Sequence, residues 1–204
     1  MAQAREDDGN GTATGPVPER LLGAATRLFA ERGYEGTSVQ AIVAAAGVTK
    51  GAMYHYFGSK DDLLYEVYAR VLRMQTDHLV EISGRPDPVT ERVHAAAADV
   101  IVTSVDNLDD TVIFFRSMHQ LGEEKQRTVR AERRKYHELF RSMIEQGQAE
   151  GTFRTDVSAD LIVDFYFGSV HHLSTWYRED GPLTGADVGR HFADLLISSL
   201  TPTG

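Results

Sequence analysis

Between Thr37 and Lys60 the chain reads TSVQAIVAAAGVTKGAMYHYFGSK, a stretch with two lysines, one histidine, two tyrosines and no carboxylate. These side chains can donate hydrogen bonds to phosphate oxygens and to the acceptor edges of bases. The rest of the chain makes the stretch conspicuous, because the whole holds 30 acidic against 21 basic residues and carries a formal net charge of -9. A chain this acidic does not coat nucleic acid indiscriminately, so any such binding must be confined to one face. Acids return directly beyond the stretch, in Asp61, Asp62 and Glu66.

Other chemistries find less support. The absence of cysteine removes disulfides, thiolate nucleophiles and Cys-ligated zinc together. Eight histidines remain, but the adjacent His171 and His172 point about 100° apart on a helix and cannot face one ion from that element. The run HELFR has Arg141 where a zinc-protease helix needs its second histidine, no Gly-x-Ser-x-Gly elbow occurs, and GNGTATG has the wrong glycine spacing for a dinucleotide loop. Neither enzymatic activity nor a metal or cofactor is expected.

The elements that must position the donors are helices. Residues 1–16 are polar and rich in small residues and read as a disordered tail rather than a secretion signal, and no apolar run approaches the roughly 20 residues of a membrane span, so a cytoplasmic protein is expected. Leu21, Leu22, Ala25, Leu28 and Phe29 recur at helical spacing, with Pro18 in the first turn and Gly33 as a stop. Thr37 with Gln40 has the form of a capping box for a short second helix that buries Val39, Ile42 and Ala45 and ends at Gly47. Thr49 can cap a third helix, Lys50 to about Tyr56. Ser59 with Asp62 opens a fourth that runs to Ser83. Further helices are expected over about 88–107, around TVIFFRSMHQL, over 123–147, and as two last amphipathic helices over 158–177 and 184–199. No alternating run resembles a hairpin, so the fold is expected to be all-α with about nine helices.

Two short helices joined at Gly47 and Val48 after an amphipathic helix have helix-turn-helix spacing, although an ordinary helical hairpin has it too. In the first reading Lys50, Gly51 and Ala52 face the bases, the small residues permitting close approach, while Tyr54 and Tyr56 reach phosphates. Thr37 and Lys60 serve phosphates from the starts of the second and fourth helices, and Met53 and Phe57 turn to the core.

The run GYEGTSVQAIVAAAGVTKGAMYHYFGSKDDLL resembles the DNA-binding region of the tetracycline-repressor family of bacterial transcription regulators, over about Leu21 to Tyr68. The resemblance implies DNA contacts at Thr37, Thr49, Lys50, Gly51, Ala52, Tyr54, His55, Tyr56 and Lys60. It also implies an N-terminal DNA-binding domain over 17–62, and a ligand-binding and dimerisation domain over 63–204 that pairs through the last two helices. Binding of a small-molecule effector would change the separation of two heads on a palindromic double-stranded operator.

The effector is harder to read. Phe114, Phe115, Met118, Tyr136, Phe140, Phe165, Phe167 and Trp176, with His172, are candidate pocket residues, although a Met or aromatic stripe at helical spacing is more often core than pocket. If they line a cavity, its ligand is large and apolar. The segment RRKYHELFRSMIEQGQAEGTFR is loosely similar to regulators of fatty-acid and steroid catabolism, some of which respond to acyl-CoA thioesters. That similarity would give Lys125, Arg127, Arg130, Arg133, Arg134 and Lys135 the phosphates of CoA to hold, where composition alone suggests a solvated face paired with Glu123, Glu124 and Glu132. A multidrug sensor and a helical interaction protein that binds no DNA are the competing functions.

Overall fold

A computed structural model describes residues 15–202, except the side chains of Phe114 and Phe115. The expected disordered tail therefore falls, but for Gly15 and Pro16, outside the described residues. All regular structure among them is helical: α1 Val17–Arg32, α2 Val39–Ala46, α3 Lys50–Tyr56, α4 Lys60–Ser83, α5 Val89–Asp106, α6 Leu108–Ser117, a 3-10 turn Met118–Gln120, α7 Glu123–Ala149, α8 Ala159–His171, α9 Leu173–Trp176 and α10 Gly185–Leu200.

Two boundaries depart from the sequence reading. The cap of α2 is Ser38, whose Oγ accepts from the Ala41 amide at 3.1 Å, not Thr37. The buried face of α2 is consequently Ile42, Val43 and Ala46, with Ala45 exposed and Val39 partly buried. The single helix expected over 158–177 breaks at His172, which ends α8 and leaves Leu173–Trp176 as one separate turn. The other predicted caps hold, Thr49 for α3 and Ser59 for α4, and a reciprocal capping box of Thr184 and Asp187 opens α10.

The apolar faces gather into two cores. One joins α1, α2 and α3 to the first turns of α4 through Leu21, Phe29, Ile42, Met53, Leu63 and Val67, and includes Ile113 of α6 and Val129 of α7. The second lies among the rest of α4 and helices α5, α7, α8 and α10, around Val93, Ile101, Phe140, Ile144 and Leu196. Helix α10 sits close on α5 because Gly189 carries no Cβ: one would stand 2.9 Å from the Ala98 carbonyl oxygen. Since α4 runs unbroken through both cores, it ties the head to the larger domain.

Candidate DNA-binding surface and effector cavity

The head fixes α3 by its ends and its buried face. Gly47 closes α2 in the left-handed region (φ 63°, ψ 39°), a conformation that favours glycine. From α1, Arg20 reaches this turn and donates to the carbonyls of Ala46 (Nε, 3.0 Å) and Gly47 (Nη2, 2.8 Å). Thr49 Oγ1 then accepts the Ala52 amide at 3.1 Å, a cap that leaves the hydroxyl proton to donate outward. Met53 is fully buried and Phe57 partly so, as expected; burial of a side chain like that of Met53 contributes roughly 1.5–3 kcal/mol. With that face inward, Lys50, Gly51, Tyr54, His55 and Tyr56 are exposed, the two tyrosines at 53% and 50%, and Ala52 is half-buried. The His55 and Tyr56 rings meet edge to face at 4.9 Å. The result is a convex, carboxylate-free surface on a rigidly docked helix.

Two predicted phosphate ligands are turned inward instead. Thr37 is 1% exposed, and its hydroxyl donates towards the carbonyls of Leu28 (3.0 Å) and Gly33 (2.8 Å). Those carbonyls lie in the last turns of α1 and just beyond its end, so the hydroxyl serves the fold. Lys60 bends back over the Tyr34 ring, 4.0 Å from its centroid, and its Nζ donates to the carbonyls of Tyr34 (2.9 Å) and Thr37 (3.0 Å). It cements the turn between α1 and α2. The next residue, Asp61, accepts from the Tyr34 hydroxyl, and burial, aided by this carboxylate, pushes that phenol upward.

In the larger domain a cavity of about 100 Å³ lies between α4, α5, α6, α7 and α8. Its apolar wall includes Val71, Leu72, Val100, Phe167 and Val170, and Tyr136 adds a ring. The polar wall is largely bonded to the protein already. Gln75 Nε2 donates to Thr103 Oγ1 at 2.9 Å and to Ser104 Oγ at 3.2 Å. Arg133 Nη2 stands 3.1 Å from His171 Nε2. The His137 ring stacks on Phe167 at 4.2 Å. Burial first, and the Arg133 charge second, hold both imidazoles down to about 4, so at neutral pH each is uncharged and His171 accepts from Arg133. Asp110, almost wholly buried, is gripped by Arg70 of α4 through Nη2 to both carboxylate oxygens (2.8 and 3.0 Å) and Nε to one (3.2 Å). Burial nonetheless raises its carboxyl above the usual range, against the pull of Arg70.

Of the predicted pocket residues, Tyr136 and Phe167 line this cavity. Phe140 is core, stacked on Tyr166 at 5.7 Å, and Met118 packs against the head core. Phe165, His172 and Trp176 lie on the outside, because α8 presents their side away from α7 or ends before them. The Phe114 and Phe115 side chains are outside the described residues. The basic run disperses around α7: Lys125 pairs with Asp62, Arg127 with Glu123 and Arg130 with Gln126, and Arg133 alone of the six lines the cavity. What the sequence reading missed is the polar wall, whose members lie far apart in the chain. The Arg70–Asp110 pair spans 40 residues, and no local signal links them.

This arrangement of a small helical head and a larger helical domain around a cavity has known counterparts. Residues 21–67 match the family described as bacterial regulatory proteins, tetR family, and residues 86–200 match the tetracyclin repressor-like C-terminal domain. The chain belongs to the tetracycline-repressor family. It is accordingly a DNA-binding transcriptional regulator. Among tetracycline-repressor relatives, the transcriptional repressor KstR2 of Mycolicibacterium smegmatis is 26% identical over 194 residues, 90% of each chain. The family regulator PfmR of Thermus thermophilus superposes with a TM-score of 0.82 at 29% identity, over 89% of this chain and 98% of that one. A structure of AibR in complex with isovaleryl coenzyme A and operator DNA superposes with a TM-score of 0.77 at 25% identity, over 93% and 100%.

Proposed function

We propose that the chain is a dimeric repressor that binds a palindromic operator through α3 and leaves it when an acyl-CoA or related lipid or steroid thioester occupies the cavity. The observation that carries the DNA half is the exposure of Lys50, Gly51, Tyr54, His55 and Tyr56 on a helix whose other face is locked by Met53. Lys50, Gly51 and Ala52 would meet base edges, while Thr49, Tyr54, Tyr56 and the neighbouring His55 would meet the backbone. Thr37 and Lys60 act here as supports of that surface.

An exposed apolar face supports the dimer. Leu161 and Phe165 of α8 and Leu195 of α10 are 60–68% exposed, and Trp176, also exposed, stacks on Phe192 of α10 at 6.1 Å. A second copy of the chain, pairing through α8 and α10, would cover this face. The relatives support a CoA thioester, AibR having been captured with one. The cavity chemistry favours it over a cationic drug, because the buried carboxylate such a drug would need, Asp110, is already engaged by Arg70. At about 100 Å³ the cavity falls well below the roughly 300 Å³ of a drug-sized site, so it would admit only the acyl end unless its walls part.

A salt titration of binding to operator fragments selected by the protein, followed by thermal shift with short- and long-chain acyl-CoAs, free fatty acids, steroids and cationic dyes, tests both halves. Log K falling linearly with log salt, with melting raised by CoA esters alone, is the expected result. Absence of binding to any genomic fragment at low salt would remove the DNA reading, and stabilisation by cationic dyes alone would remove the thioester.

A further inference from the structure

The charges of the cavity wall do not balance. Among the described residues its lining holds one carboxylate, Asp110, and one guanidinium, Arg133. The carboxylate is already matched, since Arg70 holds both of its oxygens at 2.8 and 3.0 Å. What meets Arg133 at the wall is an imidazole, His171, whose Nε2 lies 3.1 Å from Nη2. One turn along α7 from Arg133, His137 stacks on Phe167 of α8 and brings a second imidazole to the same end of the cavity. Both rings are neutral at pH 7, held down to about 4 by burial first and by the Arg133 charge second. Asp164 pulls His137 the other way and is outweighed, while His137 and His172 add to the effect on His171. Two rings that both resist a proton beside one guanidinium register a positive potential at this end of the cavity.

We infer that the end of the ligand that enters the cavity carries a carboxylate held by Arg133 beside His171 and His137, so that the effector is the CoA thioester of a short dicarboxylic acid. The thioester half rests on the proposed function, and the carboxylate half stands on the wall itself. A guanidinium presents five N–H donors in a planar fork, more than one imidazole can occupy, and a carboxylate is the group whose two oxygens match that fork. A neutral carbonyl would accept the same bonds and leave the positive potential in place. A carboxylate cancels it, and in a buried site such charge-assisted bonds are about twice as strong as neutral ones. His171 acts through Arg133: its Nε2 accepts from Nη2 and aims the fork. The methylenes between the two ends of such an acid would lie along Val71, Leu72, Val100 and Val170. A volume of about 100 Å³ suits a short chain and not a ring system.

Matched ligands test this on the full chain. Adipyl-CoA and hexanoyl-CoA share the CoA and the length of the acyl chain, and differ in a terminal carboxylate in place of a methyl group. Their affinities are measured by titration calorimetry, and free adipate and hexanoate are compared by thermal shift. The expected result is about tenfold or tighter binding of adipyl-CoA over hexanoyl-CoA, with adipate raising the melting temperature where hexanoate does not. Arg133→Gln should bring the ratio of the two thioesters to about one, while Arg133→Lys, which keeps the charge without the fork, should keep part of it. If Arg133→Gln fails to fold, the preference of the parent and its reduction in Arg133→Lys carry the test. Hexanoyl-CoA binding as tightly as adipyl-CoA in the parent would overturn the carboxylate and leave the thioester standing. Adipate binding without either thioester would do the reverse. A preference that survives Arg133→Gln, or no binding of any of these ligands, would also overturn the inference.

Discussion

The DNA surface and the cavity draw on the same kinds of side chain, rings and nitrogen donors, and place them in opposite ways. On α3 they stand half exposed on a convex helix whose conformation is fixed from behind by Met53, Thr49 and Arg20. Around the cavity they are drawn inward and bonded to one another, Gln75 to Thr103, Arg70 to Asp110, Arg133 to His171. The first surface is ready for a partner without rearrangement, and its binding is governed by charge and shape. The second is small and its polar groups are already bonded to one another, so on the proposed reading a ligand must displace internal bonds or shift a wall. A sensor domain gains its response from that cost.

The largest expected effect separates the two regions by stability. Phe140 is fully buried at the centre of the second core and far from α3, so Phe140→Ala should lower unfolding stability by about 3–5 kcal/mol in chemical denaturation. Operator affinity at a temperature where the variant is still folded should be unchanged. Gly51→Glu should do the reverse. An acid in the first turn of α3 suits the helix dipole and leaves the melting temperature near that of the parent. Facing phosphates it should weaken operator binding by roughly 100-fold or more in fluorescence anisotropy. If Gly51→Glu bound as tightly as the parent, α3 would not be the face that meets DNA.

The sequence made the head legible and the cavity obscure, for a physical reason. Head residues act within one continuous run, where the caps Thr49 and Ser59, the stop at Gly47 and the inward spacing of Met53 and Phe57 are all short-range features. Even there the direction of two side chains depended on the third dimension. Thr37 and Lys60 both look like ligands in a donor-rich run, and both are drawn to carbonyls in the last turns of α1 and beyond its end that only the folded turn brings near. The cavity wall has no such run. Aromatics at helical spacing on α8 proved to be split between the buried side that walls the cavity (Phe167) and the outer surface (Phe165), because a helix of this composition shows apolar residues to both. The polar wall is an assembly of residues from five helices, and its pairs are tertiary facts.

Thr37→Val sharpens the comparison at the head. If the hydroxyl serves the fold, the variant loses about 1–2 kcal/mol of stability, since the buried bonds of the hydroxyl to the Leu28 and Gly33 carbonyls are lost, while the slope of log K against log salt stays that of the parent. A changed operator affinity at full folding would instead return Thr37 to the DNA surface.

The remaining effect depends on pH and concerns the two cavity imidazoles. His137 and His171 ionise at about 4 in the folded protein, below the ordinary value of 6.5, because burial and Arg133 disfavour the imidazolium. The unfolded chain therefore binds more protons than the native one between those values. Stability contributed by keeping the rings neutral is complete above about pH 6.5 and declines as the pH falls towards 4. Carboxylates titrate in part of the same range, so the parent curve alone does not isolate the histidines. The comparison that does is between the parent and a His137→Gln/His171→Gln variant, each melted at pH 7 and pH 5. The variant should lose several degrees less across that interval than the parent. An equal loss in both proteins would mean that the cavity accepts protons as readily as the unfolded chain, and that its wall is wetter and less tightly bonded than the burial of these rings implies.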